Sequence, residues 1–194
     1  QADQRGSRGT QAAEQTLEAT LATCFSCHGP NGTVPLQPDY PILGGQHQYY
    51  IYQQLKDYAP HPVTDRVLRQ HEVMTPIATA LSKARKMEVA KWFSERPWPS
   101  NERDADPANI ARGKGIATSG QCVQCHLGGF LGASGVPRLA GQQYEYLKAQ
   151  MLAFKYKRRT NAAAKNSLFA DFSDEDIEAM ADYLSAMDSG QLRR

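Results

Sequence analysis

The chain has 194 residues, 41% of them apolar, and no apolar run long enough to span a membrane as a helix. Twenty-two Lys and Arg against 20 Asp and Glu leave a net charge of only +2, which argues against nucleic acid as the natural partner. No secretory signal is visible at Gln1, so the expected form is a mature, processed chain.

The elements read as helices, and strand patterning is weak throughout. A first helix is predicted from about Thr10 to Ala22, with Leu17 and Leu21 at i, i+4 spacing, ending at Cys24-Phe25-Ser26-Cys27-His28. A second, from about Gln46 to Tyr58, offers Tyr50, Leu55 and Tyr58 as an apolar face. Ser82 is the expected N-cap of a third, which runs to about Ser94. Glu95 to Arg103, with Pro97 and Pro99 amid mixed charge, reads as a linker. Asp106-Pro107 then opens a helix with proline at its first position, ahead of Cys122-Val123-Gln124-Cys125-His126. A helix from Gln142 to about Tyr156 follows. Ser173, with Asp174, Glu175 and Asp176 behind it, caps the last helix with charges that suit its dipole.

The two Cys-x-x-Cys-His pentapeptides consume all four cysteines and two of the five histidines. This is the attachment pattern of a c-type haem, in which the thiols add across the vinyl groups and the histidine binds iron from the proximal side. A redox dithiol or a zinc ribbon is the competing reading. The ribbon requires both pairs to converge on one ion, and it does not explain a histidine after each pair. Two covalently bound haem c groups are therefore expected, one on Cys24, Cys27 and His28 and one on Cys122, Cys125 and His126.

The motifs stand 98 residues apart and belong to a longer repeat. Pro41-Ile42-Leu43-Gly44-Gly45-Gln46 answers Pro137-Arg138-Leu139-Ala140-Gly141-Gln142, and Tyr50 to Leu55 answers Tyr146 to Met151. The helix led by Ser82 answers the one led by Ser173. Expected boundaries are a domain at 1–96, a linker at 97–106 and a second domain at 107–194. Domains of this size have limited cores, and a buried haem supplies apolar surface for them to pack around.

On these residues each half resembles a class I cytochrome c, and the tandem resembles the dihaem cytochromes of the cytochrome c4 family. The likeness extends over about residues 14–95 and 107–188. It implies an all-α fold of two tandem cytochrome c-like domains, each around one covalent haem. It also implies periplasmic electron transfer between the haems and on to redox partners, a donor dehydrogenase or a terminal oxidase, with any membrane association through a partner complex. Histidine and methionine are the implied axial ligands. Pro41 and Pro137 match the family proline whose carbonyl accepts a hydrogen bond from the proximal histidine and fixes its orientation; a plain turn proline is the alternative. Tyr50 and Tyr146 would lie near haem or reach a propionate, unless they are helix-face core.

Met74, in Met74-Thr75-Pro76-Ile77-Ala78, stands where the resemblance puts the distal ligand of haem 1. It is expected in a loop, with His71 as rival; His47 and His61 read as surface or packing histidines. The second half departs from the pattern, because Lys165 occupies the matching distance before Ser173 and no histidine follows His126. Three readings stay open: a neutral Lys165 amine on iron, an iron that is five-coordinate or holds water, or a shifted loop that brings up Met151 or Asn166. Lys155, Lys157, Arg158, Arg159 and Lys165 crowd one stretch. They read as a solvated face or as counter-ions to haem propionates, as a docking patch for an acidic partner, or as a funnel for a small anion. The main expectation is an electron carrier with no catalytic residue. The alternative is a dihaem enzyme acting at haem 2 on an anion such as thiosulfate or nitrite.

Overall fold

The computed structural model describes residues 15–100 and 103–187, and these are helical with no strand among them. α1 (Leu17–His28) starts where the Thr16 hydroxyl accepts the Ala19 N–H at 3.2 Å. It runs through the first pentapeptide instead of stopping before it, so Cys24 and His28 project from regular helix. Residues 10–14 of the predicted helix lie outside the described residues. Gly29 ends the helix at φ +74°, where a Cβ would sit 1.9 Å from the Val34 carbonyl oxygen, so only glycine fits. α2 (Gln48–Tyr58) follows as expected.

A helix not foreseen, α3 (Met74–Ala80), comes next. Met74 is its first residue, which corrects the loop placement. Here the His71 Nδ1 accepts the N–H groups of Val73 and Met74 at 3.2 and 3.3 Å, so an imidazole does the capping that pattern rules assign to Ser, Thr, Asp or Asn. α4 (Lys83–Ser94) is capped by the Ser82 hydroxyl, which accepts the Arg85 N–H at 3.0 Å.

In the second half α5 (Pro107–Ser119) begins with Asp106 accepting the Ala108 N–H at 2.8 Å. Gly120 stops it and Gln121 turns at φ +54°, so the second pentapeptide forms a separate short helix, α6 (Val123–His126). α7 (Tyr144–Lys155) follows, and then a second unforeseen helix, α8 (Ala163–Ala170), which carries Lys165. The segment expected as a loop is thus helical. α9 (Asp174–Ser185) opens with a capping box: Ser173 and Asp176 each bond the other's backbone N–H at 3.1 Å.

Each half has its own core. Leu21, Ile51, Leu55, Val89 and Phe93 form one, and Leu147, Met151, Ile177, Met180 and Leu184 form the other. The repeat is legible in both. Ile51 and Leu55 match Leu147 and Met151, and the Gly45 N–H reaches the Phe93 carbonyl as the Gly141 N–H reaches that of Leu184, both at 2.9 Å. Trp98, in the predicted linker, is buried with its backbone against Gly45, and Arg103 pairs with Asp182 at 2.7 Å. The connection is packed onto the protein at both ends.

The halves meet through a reciprocal exchange. Gln142 accepts the Ile42 N–H at 2.8 Å and donates to the Ile42 carbonyl at 3.0 Å. Gln46 makes the same two bonds to Arg138, at 2.9 and 3.0 Å. Both glutamines are almost fully buried. His47 adds a bond to the Leu131 carbonyl at 2.8 Å, so this histidine is a contact between the halves. Gln142→Leu leaves the Ile42 N–H and carbonyl buried without partners and is expected to cost about 2 kcal/mol. A lowered midpoint in urea unfolding, with an unchanged slope, is the result that checks it.

Candidate functional site

Two cavities open beside the pentapeptides, one in each half. Cys24, Cys27 and His28 line the first, with Met74 also on its wall. The His28 ring is buried, and its Nδ1 donates to the Pro41 carbonyl at 3.0 Å. That bond fixes the tautomer and leaves Nε2 as the nitrogen able to bind a metal. Burial holds the His28 pKa below its ordinary value, outweighing the Pro41 bond, so the imidazole is neutral at pH 7. Burial likewise pushes the Cys24 thiol up to about 11, so in the folded chain it is a protonated and weak nucleophile. His71 also reaches this cavity, but its ring is exposed and its Nδ1 is engaged at the start of α3.

The second half repeats the proximal arrangement. His126 is buried and its Nδ1 donates to the Pro137 carbonyl at 3.1 Å. Its pKa falls to about 4, through burial first and the nearby Lys165 ammonium second. Cys122 and Pro137 line the second cavity, together with Met151, Lys165 and Met180. Lys165 is half-buried, with its Nζ 5.3 Å from the centre of the Phe154 ring. Burial, then the charge of Arg159, brings its pKa down to about 8, so a neutral amine is accessible near physiological pH. The Asn166 amide donates to the carbonyls of Phe154 and Arg159 at 2.6 and 2.8 Å. It ties α8 to the end of α7 through its amide nitrogen.

The basic stretch after α7 divides on folding. Lys157 and Arg158 are exposed, Lys155 pairs with Asp174 at 2.6 Å, and Arg159 is buried. Arg159 therefore belongs to the interior and not to a surface patch. Tyr50 and Tyr146 stand on the walls of both cavities.

The donor set fits haem c: paired thiols, a neutral imidazole held by a carbonyl, and apolar walls. The comparisons agree. Residues 108–184 match the family described as cytochrome c oxidase, cbb3-type, subunit III. Cytochrome c-552 of Acidithiobacillus ferridurans is 34% identical over 84% of this chain and 73% of that protein. Cytochrome c4 of Stutzerimonas stutzeri is 30% identical over 88% of this chain and 87% of its own length. The chain belongs to the cytochrome c4 family. A crystal structure of reduced recombinant cytochrome c4 from Pseudomonas stutzeri superposes with a TM-score of 0.77 at 28% identity, covering 89% of this chain and 98% of that one. A protein of Stutzerimonas stutzeri strain A1501 named thiosulfate dehydrogenase electron acceptor is 31% identical, over 84% of this chain and 77% of that protein. As in the cytochrome c4 fold, the cofactors are covalent haem c, two per chain.

Sequence reasoning missed Arg69, which lines the first cavity. It has no counterpart signal in the repeat, because its partner Arg159 lies in a segment of different length. The roles of Gln46 and Gln142 carried a signal: the Gly-Gln pair recurs in both halves.

Proposed function

We propose that this chain is a periplasmic dihaem electron carrier that performs no chemistry of its own on a substrate. The carrying observation is that the two cavities share walls: Tyr50, Tyr146, Gln150, Pro137 and Leu139 line both. Redox groups held there would be separated by these shared side chains, which suits transfer between them. Haem c supplies the one-electron couple when bound, and the protein supplies attachment, orientation and electrostatics.

In this reading residues 1–96 and 107–194 are the two domains and 97–106 the connection. Cys24, Cys27 and His28 attach and ligate haem 1, the Pro41 carbonyl orients His28, and Met74 is the distal ligand. Cys122, Cys125, His126 and Pro137 play the matching parts for haem 2, with Lys165 as its distal ligand. A soft, neutral thioether raises a haem potential, so haem 1 is the higher-potential centre and haem 2 the lower. Periplasmic location follows from the attachment motif. Among the described residues no helix is long and apolar enough to cross a membrane.

The donor that the comparisons favour is a thiosulfate dehydrogenase, since two relatives at 29% and 31% identity are named as its electron acceptor. A terminal oxidase suits the other end.

A potentiometric titration followed optically tests the ligand assignment. One haem's worth of the far-red iron–methionine band, with two separated potentials, is the expected result. Two haems' worth would mean that a methionine, with Met151 and Met180 on the cavity wall, displaces Lys165. Thiosulfate should reduce the protein only when a thiosulfate dehydrogenase is added. Direct reduction at a catalytic rate would favour an enzyme instead.

A further inference from the structure

Arg69 and Arg159 come from opposite halves, are each 5% exposed, and face one another through an antiparallel backbone bridge. Their bonds cross over. Arg69 donates to Gln54 at 2.8 Å in its own half, and to Tyr146 at 2.8 Å and Gln150 at 2.9 Å in the other. Arg159 donates to Gln150 at 2.9 Å in its own half and, across the boundary, to Gln54 at 2.8 Å and Tyr50 at 3.3 Å; its Nε also reaches Asn161 at 3.0 Å. Every acceptor is neutral. Among the described residues neither guanidinium lies within ion-pair distance of a carboxylate.

Two like charges buried side by side, bonded directly only to amides and phenols and with the Asp57 carboxylate one residue further off on Asn161 at 2.8 Å, are an incomplete structure. The positive field is felt locally. Burial alone would raise the Tyr50 phenol, and Arg159 and Arg69 outweigh burial to hold it below its ordinary value. Neither arginine exhausts its donors on these bonds. Arg69 lines the first cavity and Arg159 the second. The anions available at that boundary are those of the cofactor, since each haem c carries two propionate carboxylates.

We infer that Arg69 and Arg159 form one counter-ion site shared by the propionates of both haems, which completes the contact between the halves and links the two haem potentials. The carboxylates accept charge-assisted bonds from a planar fork suited to them. Because each guanidinium is bonded into both halves, the charge of either one acts on both irons. This rests on the dihaem reading, whose own failure would show as fewer than two c-type haems per chain in a pyridine haemochrome assay.

The experiment is spectropotentiometry at pH 8 on the holo-cytochrome with Arg69→Gln and, separately, Arg159→Gln. Removing a cation favours the oxidised iron, so both potentials should fall in each variant. A tenfold change in each reduction equilibrium, about 59 mV for one electron, is the expected scale. Arg69→Lys keeps the charge and should hold both potentials closer to wild type. A fall confined to the haem of the substituted half would overturn the shared site, and no fall at either haem would overturn the counter-ion role. If the glutamine variants do not yield folded holo-protein, the wild type still decides. Paired propionates stay ionised, so the potential of haem 1, which Lys165 does not ligate, should be flat between about pH 5 and 8. A slope near 59 mV per pH unit at haem 1 would mean an unpaired propionate and overturn the inference.

Discussion

Lys165→Ala is expected to open the iron of haem 2 to added ligands while leaving haem 1 spectroscopically unchanged. Lys165 stands on the wall of the second cavity and feels His126, whereas Met74 lies on the wall of the first. A side chain that occupies the iron reduces the apparent affinity of any competitor by the fraction of time the position is free. If the amine is bound nine-tenths of the time or more, the variant should take up cyanide or imidazole about tenfold more tightly, or better. pH gives a second measurement. The Lys165 pKa is brought down to about 8, foremost by burial, and only the neutral amine binds iron. With Lys165 as the ligand, ligation is expected to be retained at alkaline pH and lost on acidification, once protons outcompete the metal below that value. A haem 2 spectrum that does not change on acidification, together with equal cyanide affinity in both proteins, would refute lysine ligation.

Gly113→Ala is expected to destabilise the second half strongly, and Gly115→Ala, two residues along the same helix, to stabilise it. α5 crosses α9 at Gly113. A Cβ built there falls 2.0 Å from the Ala179 carbonyl oxygen and 2.9 Å from the Tyr183 Cβ, and the nearest obstacle is backbone that cannot swing aside. Forcing the helices apart breaks the Asp182 cluster, in which Arg103 and Asn109 reach one carboxylate at 2.7 and 3.0 Å, and the Arg112–Asp176 pair at 2.7 Å. Overpacking of this kind costs about 3 kcal/mol, or about 12 °C or more in Tm for a domain of this size. At Gly115 a Cβ meets nothing within 4 Å, so alanine should gain just under about 1 kcal/mol from backbone propensity alone. Thermal unfolding of both variants, followed at the haem and in the far ultraviolet, separates the two effects. Equal stabilities would mean that the helix crossing adapts freely.

Much of the site was legible because covalent chemistry and local rules write themselves into short spacings. Cys-x-x-Cys-His needs only five residues, and Ser82, Asp106 and Ser173 act as N-caps through contacts two or three residues away. The proline carbonyls were expected from the family resemblance, and Pro41 and Pro137 each accept their histidine's Nδ1–H. The two missed helices share a cause. α3 carries Pro76 inside and takes its cap from His71, while α8 follows Ala162 with no capping side chain, so neither offered the usual start signal. α1 was read as ending too early because a binding motif was taken as a boundary, although nothing in Cys24 to His28 opposes helix before Gly29.

What the sequence determined by itself is the chemistry: four thiols and two imidazoles in two pentapeptides, repeated at a spacing that makes two similar helical units around covalent haem. What only the tertiary structure decided is how those units face each other. Gln46 and Gln142 recur in the repeat, but only the fold shows each bonded to the backbone of the other half. Arg159 read as one cation in a surface run until folding buried it against Arg69, a residue 90 positions away that no pattern connects to it. The reason is physical. Attachment depends on residues adjacent along the chain, but burial of a charge depends on every element packed around it, and that sum exists only once the chain has folded.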